Sequence, residues 1–264
     1  MIFDESVYLK NYPDVADALL QGKFASGAEH YQLFGKGEGR SFLGPRAERV
    51  LTGLDLDGLG LEIGPSHNPI APKRLGFQVH IVDHLDAEGL RKKYEGHSSL
   101  GVHTENIEDV DFVSRGEPLP ELIGQTGCYD WIIASHVIEH LADPAEFFRE
   151  CEQLLKPGGR LSLVVPDMRF CFDHFGAPST TGAVLDAWHA GRTRPSPGQV
   201  FDHLANSVKR NGSIAWSHAE TESTEPTMEL LHSFELTARH WEIAQQPDTY
   251  IDSHCWRLCR KASV

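Results

Sequence analysis

The stretch YDWIIASHVIEHLADPAEFFRECEQLLKPGGRLSLVVPD, residues 129–167, decides the fold. It opens on an apolar run, YDWIIAS (129–135), and closes on a second, RLSLVVPD (160–167). Between them Asp143 stands where a helix N-cap is wanted. Pro144 takes the first helical turn, where its missing N–H costs nothing. Phe147, Phe148, Cys151, Leu154 and Leu155 give that helix one apolar face, and Pro157-Gly158-Gly159 stop it. A strand, an amphipathic helix and a second strand in this order are the repeating unit of a parallel sheet covered by helices.

Upstream lie two more apolar runs, GLGLEI (58–63) ending near Glu62 and FQVHIVD (77–83) ending in Asp83. Four such runs predict an α/β fold with a doubly wound, mainly parallel sheet. The first run passes into a glycine-proline turn, LEIGPSHNPI (61–70). Gly64 removes the Cβ where a ligand would approach the backbone, and Glu62 sets a carboxylate at the strand tip. Only this one glycine of the dinucleotide fingerprint is present. Asp83 ends the next strand nineteen residues later. An acid there accepts hydrogen bonds from both ribose hydroxyls of an adenosine-bearing ligand.

Residues 1–45 read as a small N-terminal helical module. YLKNYPDVADALL places Tyr8, Leu9, Val15, Leu19 and Leu20 on one face, broken once at Pro13, and a second helix runs from the Ser26 cap to glycines 35, 37 and 39. Residues 46–264 form the main domain. Within it, the segment at about 168–250 is rich in His, Trp, Pro and Gly and breaks the strand-helix rhythm. It is either an irregular packed insertion or one that covers a substrate at the carboxyl ends of the strands.

Composition narrows the function. A net charge of −14 excludes nucleic acid, because no basic run longer than Arg91-Lys92-Lys93 exists to neutralise phosphates. No stretch approaches the roughly 20 apolar residues that span a bilayer. MIFDESVYLK has no basic start and apolar core of a secretory signal. Cys128, Cys151, Cys171, Cys255 and Cys259 are scattered, which fits reduced thiols and a cytoplasmic location.

From about residue 58 to 167 the chain resembles the class I S-adenosylmethionine-dependent methyltransferases, on LEIGPSHNPI, VHIVDH and the 129–167 stretch. It is most similar to the methyltransferase-11-like enzymes of bacterial surface-glycan clusters, which share the EIGP…NP loop, SHVIEH, VVPDMRFCFDHF and PGQVFDH. The N-terminal segment from YPDV (12–15) to EGR (38–40) is similar to an NPDV…HY…G…EGR repeat found beside such enzymes. The resemblance implies a Rossmann-like fold with S-adenosylmethionine held by Glu62, Gly64, Pro65, Asp83, His84 and Ser135. It also implies methyl transfer to a hydroxyl of a sugar or glycan intermediate in polysaccharide biosynthesis.

Methyl transfer to an alcohol needs alignment and a group that takes the hydroxyl proton. His136, Asp167, His174 and His203 are the candidates, with Asp173, Asp202 and His218 behind them. Phe170, Phe175, Trp188 and Trp216 are the residues available to stack on a sugar ring, or else to fill the core. His136-Val137-Ile138-Glu139-His140 also has the H-x-x-E-H spacing of a zinc site. That reading requires one helix presenting both histidines. Residue 135 closes a strand and Pro144 disfavours helical geometry at Asp143, so at most a turn fits. No metal is expected; a zinc hydrolase with a third ligand from Glu220, Glu222, Glu225 or Glu229 is the remote alternative.

Relatives in this class close the sheet with a late helix and two more strands. Here YIDSHCWRLCRKASV supplies at most one strand, from about Asp252 to Lys261, so the final hairpin is expected to be missing. The apolar tail then packs on its own sheet or on a second chain, giving a homodimer. The short tail also keeps open a second function class, a methyltransferase-fold scaffold without turnover.

Overall fold

The four apolar runs become strands of one sheet in the computed structural model, which describes residues 3–97, 102–217, 226–246 and 252–259. The strands are β1 (Gly60–Ile63), β2 (Val79–Asp83), β3 (Phe112–Val113), β4 (Tyr129–Ser135) and β5 (Leu155–Val164), in spatial order β3-β2-β1-β4-β5. β1 pairs in parallel with β2 on one side and β4 on the other, with Gly60 opposite Val79 and Trp131, and β2 pairs in parallel with β3. The chain therefore reverses its direction of travel across the sheet at β1, the place where open α/β sheets bind ligands. β3 is two residues long and carries no sequence signal of its own.

Burial follows from this topology. All four residues of β1 are buried, and Trp131, Ile132 and Ile133 of β4 are fully so. Gly60 has to be glycine, since a Cβ there would overlap the Trp131 indole. The helix predicted at 144 forms as α7 (Pro144–Leu154), with Asp143 Oδ1 accepting from Ala145 N and Glu146 N at 3.0 Å each. Two details depart from expectation. Phe148 is 44% exposed, not part of the buried face formed by Phe147, Cys151 and Leu154. β5 begins at Leu155 and absorbs Pro157-Gly158-Gly159, which the sequence reading made a helix stop. Gly158 at φ +83 allows the bend, and Gly159 lets the backbone pass close to Tyr129 O.

The described chain divides into two compact units, one of residues 1–134 with 154–163 and one of residues 135–153 with 164–264. In the first, α1 (Glu5–Asn11) and α2 (Pro13–Leu20) break at Pro13 as expected, and α3 (Gly27–His30) continues as a π-turn to Gly35. Tyr8 is completely buried among Phe3, Tyr12, Tyr31 and His30, with its hydroxyl 3.1 Å from His30 Nδ1. Leu20, placed on the apolar face by its spacing, is 88% exposed because α2 ends there. The remaining helices of this unit are α4 (Pro45–Leu51), α5 (Ala87–Lys93) and α6 (Leu119–Ile123).

The second unit contains α8 (Thr181–His189), α9 (Pro197–Asn206) and α10 (Phe234–Ala244), with a separate antiparallel pair, β6 (Val208–Arg210) and β7 (Met228–Leu230). Val200 and Leu204 pack on Ala244, while Ala187 packs on Cys255 and Trp256. Among the described residues the main sheet stops at five strands. The tail strand expected from Asp252 is reduced to a single parallel bridge, Leu258 to Asp167. Residues 260–264 lie outside the described residues. The tail is nonetheless buried within its own unit: Cys255 N and Trp256 N both donate to Glu139 O, and Trp256 Nε1 donates to Leu141 O at 2.6 Å. No described helix is long and apolar enough to cross a membrane, and the five cysteines are all free thiols.

Candidate functional site

At the carboxyl ends of β1 and β2, residues 64–71 form a loop held on three sides. Gly64 sits at φ +64 and Ser66 at φ +52, the left-handed region that turns the chain back sharply. Glu62 is 1% exposed and accepts from Ile70 N at 2.7 Å and Ala71 N at 3.0 Å. Burial pushes its carboxyl up to about 7, against the opposing pull of those two N–H groups and of Arg46. Arg46 Nη1 donates to Asn68 O at 3.2 Å, and Asn68 N closes a turn onto Pro65 O. Glu62 thus acts on the loop from behind. The sequence makes it a contact of the cofactor; in the structure one of its oxygens holds Ile70 N and the other Ala71 N.

Asp83 faces the start of the loop. Its Oδ2 accepts from Ser66 N at 2.9 Å, while Oδ1 accepts from His84 N at 2.8 Å and contacts His84 Nδ1 at 2.6 Å. Lys93 Nζ lies 2.9 Å from His84 Nε2, so Nε2 is the acceptor and Nδ1–H points at Asp83. A carboxylate has about four acceptor positions, and three are taken here. Ser66 Oγ and His67 Nδ1 are buried without a hydrogen-bond partner. A left-handed glycine, unsatisfied polar atoms on the loop and one open acceptor on Asp83 fit an adenosine-bearing cofactor.

The candidate bases lie in the other unit. Ser135 closes β4, and His136 follows at φ +56 with its N–H on Val164 O and its side chain 53% exposed. His136 Nδ1 is 3.3 Å from Glu139 Oε1. Asp167 is bound by the Arg169 guanidinium, 2.9 Å from Nε and 2.5 Å from Nη2. His174 Nδ1 donates to Arg169 O at 3.0 Å, beside Trp216. His203 Nδ1 accepts from His254 N at 3.3 Å, and burial, then the nearby His254, hold its pKa down to about 4. It is neutral at pH 7. Asp202 is exposed on α9, Glu229 is exposed on β7, and His218, Glu220, Glu222 and Glu225 lie outside the described residues.

Among the aromatic candidates, Trp216 is core: it is 8% exposed with Nε1 on Arg169 O. Trp188 and Phe175 are exposed, at 45% and 56%. The H-x-x-E-H segment does not form a helix. Ile138–His140 is a single 3-10 turn, and the left-handed His136 stands outside it. His254, which no spacing singled out, joins His140, Asp173 and His203 instead. Its Nδ1 is 2.5 Å from Asp173 Oδ2, and its ring meets His140 edge-on at 4.7 Å.

A family model described as a methyltransferase domain matches residues 37–255. The ubiquinone biosynthesis O-methyltransferase of Caulobacter vibrioides is 33% identical over 114 residues, 43% of this chain and 41% of that protein. Its namesake in Xanthomonas euvesicatoria is 32% identical over 123 residues, 45% of this chain and 47% of that protein. The matched part thus spans less than half the length of these relatives. A solved SAM-dependent methyltransferase from Aquifex aeolicus overlays 62% of this chain and 80% of that one, at 19% identity and a TM-score of 0.32.

Proposed function

Because the chain belongs to the methyltransferase-domain family, with S-adenosylmethionine as methyl donor, we propose that it transfers a methyl group to a hydroxyl oxygen. The observation that carries this reading is the loop 64–71, pinned by Glu62 and Asp83 at the sheet's switch point. The cofactor supplies a methyl already activated by its sulfonium, so the protein's work is to bind, align and accept a proton. The open position on Asp83 Oδ2 takes one ribose hydroxyl. A second hydroxyl would need the position on Asp83 Oδ1 that the half-exposed His84 ring occupies. Glu62 acts indirectly by fixing the loop, and Gly64 with Pro65 lets the backbone approach the ligand. Of the candidate bases, His136 is the one we assign to take the hydroxyl proton: it is half exposed, follows β4 in the chain, and has a carboxylate behind its Nδ1.

The resemblance of the loop and the SHVIEH segment favours a sugar or glycan hydroxyl, and exposed Trp188 and Phe175 suit a sugar face. The relatives named for ubiquinone biosynthesis favour an intermediate of that pathway instead. Calorimetric titration of S-adenosylmethionine, then transfer of a labelled methyl to both acceptor classes, tests the proposal. Asp83→Ala should lose ~1.5–3 kcal/mol of cofactor affinity, the size of a hydrogen bond to a charged group. Unchanged affinity would remove Asp83 from the site. Cofactor binding with no transfer to any hydroxyl would favour a scaffold without turnover.

A further inference from the structure

We propose that Glu139, His140 and His254 form a binding site for one divalent transition-metal ion of the zinc class. Among the described residues these three form the one group whose ligand atoms converge, all lying within 4.8 Å of one another. The set of two imidazoles and a carboxylate is a recognised zinc donor set, with a fourth position left for water. It differs from the H-x-x-E-H reading, since His136 is replaced by a histidine from the tail.

Three observations support it. First, both carboxylate oxygens of Glu139 are buried with no hydrogen bond, and the residue is 0% exposed. The 3.3 Å approach of His136 Nδ1 to Oε1 is of ion-pair length but is not a hydrogen bond. A buried carboxylate left in this state is costly unless a cation meets it. Second, each histidine turns its Nδ1 toward a carboxylate, His254 in a 2.5 Å hydrogen bond with Asp173 and His140 at an ion-pair distance of 2.8 Å from Asp252, which leaves Nε2 of both rings to bind metal. Carboxylate–histidine–metal pairing of this kind is what fixes the tautomer in metal sites. Third, among the described residues Glu139 has no lysine or arginine as an ion-pair partner. The Arg257 guanidinium is turned to Asp173 instead, with Nε 3.4 Å from Oδ1. His140, 29% exposed, gives a way in from solvent.

The test is zinc titration of the chelator-stripped full chain against a chromophoric chelator, with cobalt(II) as a spectroscopic probe. One equivalent should bind. His254→Gln and Glu139→Gln should each weaken binding more than Asp173→Asn, which should cost about 10–100-fold as an outer-sphere partner. His136→Ala should retain the equivalent. Circular dichroism of each metal-free variant establishes that it is folded. Folded Glu139→Gln and His254→Gln proteins that bind zinc like the wild type would overturn the proposal, as would a metal-free wild type that takes up no zinc. Should those variants fail to fold, the wild-type cobalt spectrum decides. Four- or five-coordinate ligand-field bands without a thiolate charge-transfer band support the site, and a thiolate band or an octahedral spectrum refutes it.

Discussion

Glu62→Gln isolates the carboxyl that holds the loop of residues 64–71. In the folded chain burial raises this group to about 7, from 4.5 when free. The fold therefore binds a proton more tightly than the unfolded chain does. Stability from this group is complete below pH 4.5 and is lost as pH rises through 7. That gap of about 2.5 pH units, at about 1.36 kcal/mol each, comes to ~3 kcal/mol. The group is fully buried, so no discount for solvent applies. Glutamine keeps the shape and one acceptor without the titration. Urea unfolding followed by tryptophan fluorescence, at steps from pH 4.5 to 8, gives both stability curves. The difference between wild type and variant should change by ~3 kcal/mol across that window, with the wild type losing relative stability toward high pH. Taking the difference cancels other titrating groups such as His203. Parallel curves would refute the raised pKa of Glu62 behind the loop.

Two further outcomes follow from packing. Gly60→Ala drives a methyl into the Trp131 ring and should destabilise the fold by roughly 1–3 kcal/mol or more, read as a lower urea midpoint with unchanged slope. Asp143→Ala removes the cap on Ala145 N and Glu146 N and should cost ~1 kcal/mol in the same assay, with cofactor affinity intact.

Much of the fold was legible because its signals are local. Apolar runs and a proline one residue after an aspartate placed β4 to the residue and α7 to within one position of its end. The strand after α7 was misjudged because glycine and proline were read as a stop, whereas an edge strand tolerates both. Leu20 and Phe148 show the limit of helical spacing: it says which side a residue is on, not whether anything covers it. At the candidate site, strand ends and spacing single out Glu62, Gly64 and Asp83, which lie at the carboxyl ends of β1 and β2. Glu62's actual work, holding Ile70 and Ala71, depends on loop geometry that no spacing encodes. His254 was invisible for a simpler reason. Its partner Asp173 is 81 residues away in the chain, and no pattern in either neighbourhood announces the meeting.

The hydrogen bonds that Cys255, Trp256 and the Trp256 indole make to the turn after β4 bear on how the protein comes off the ribosome. Leu141 and Trp256 are separated by 115 residues. At roughly 5–20 residues per second, the turn is synthesised about 6–23 seconds before the partner that fixes it. Closing a loop of that size is slow compared with forming the neighbouring helix. During that interval the strands up to β4 can already pair, while Glu139, His140 and the carbonyls beside them stay hydrated. The segment carrying SHVIEH is thus a late-maturing part of the molecule. Substitutions in residues 253–257 should lower the yield of folded protein in translation by more than their effect on the finished fold would suggest.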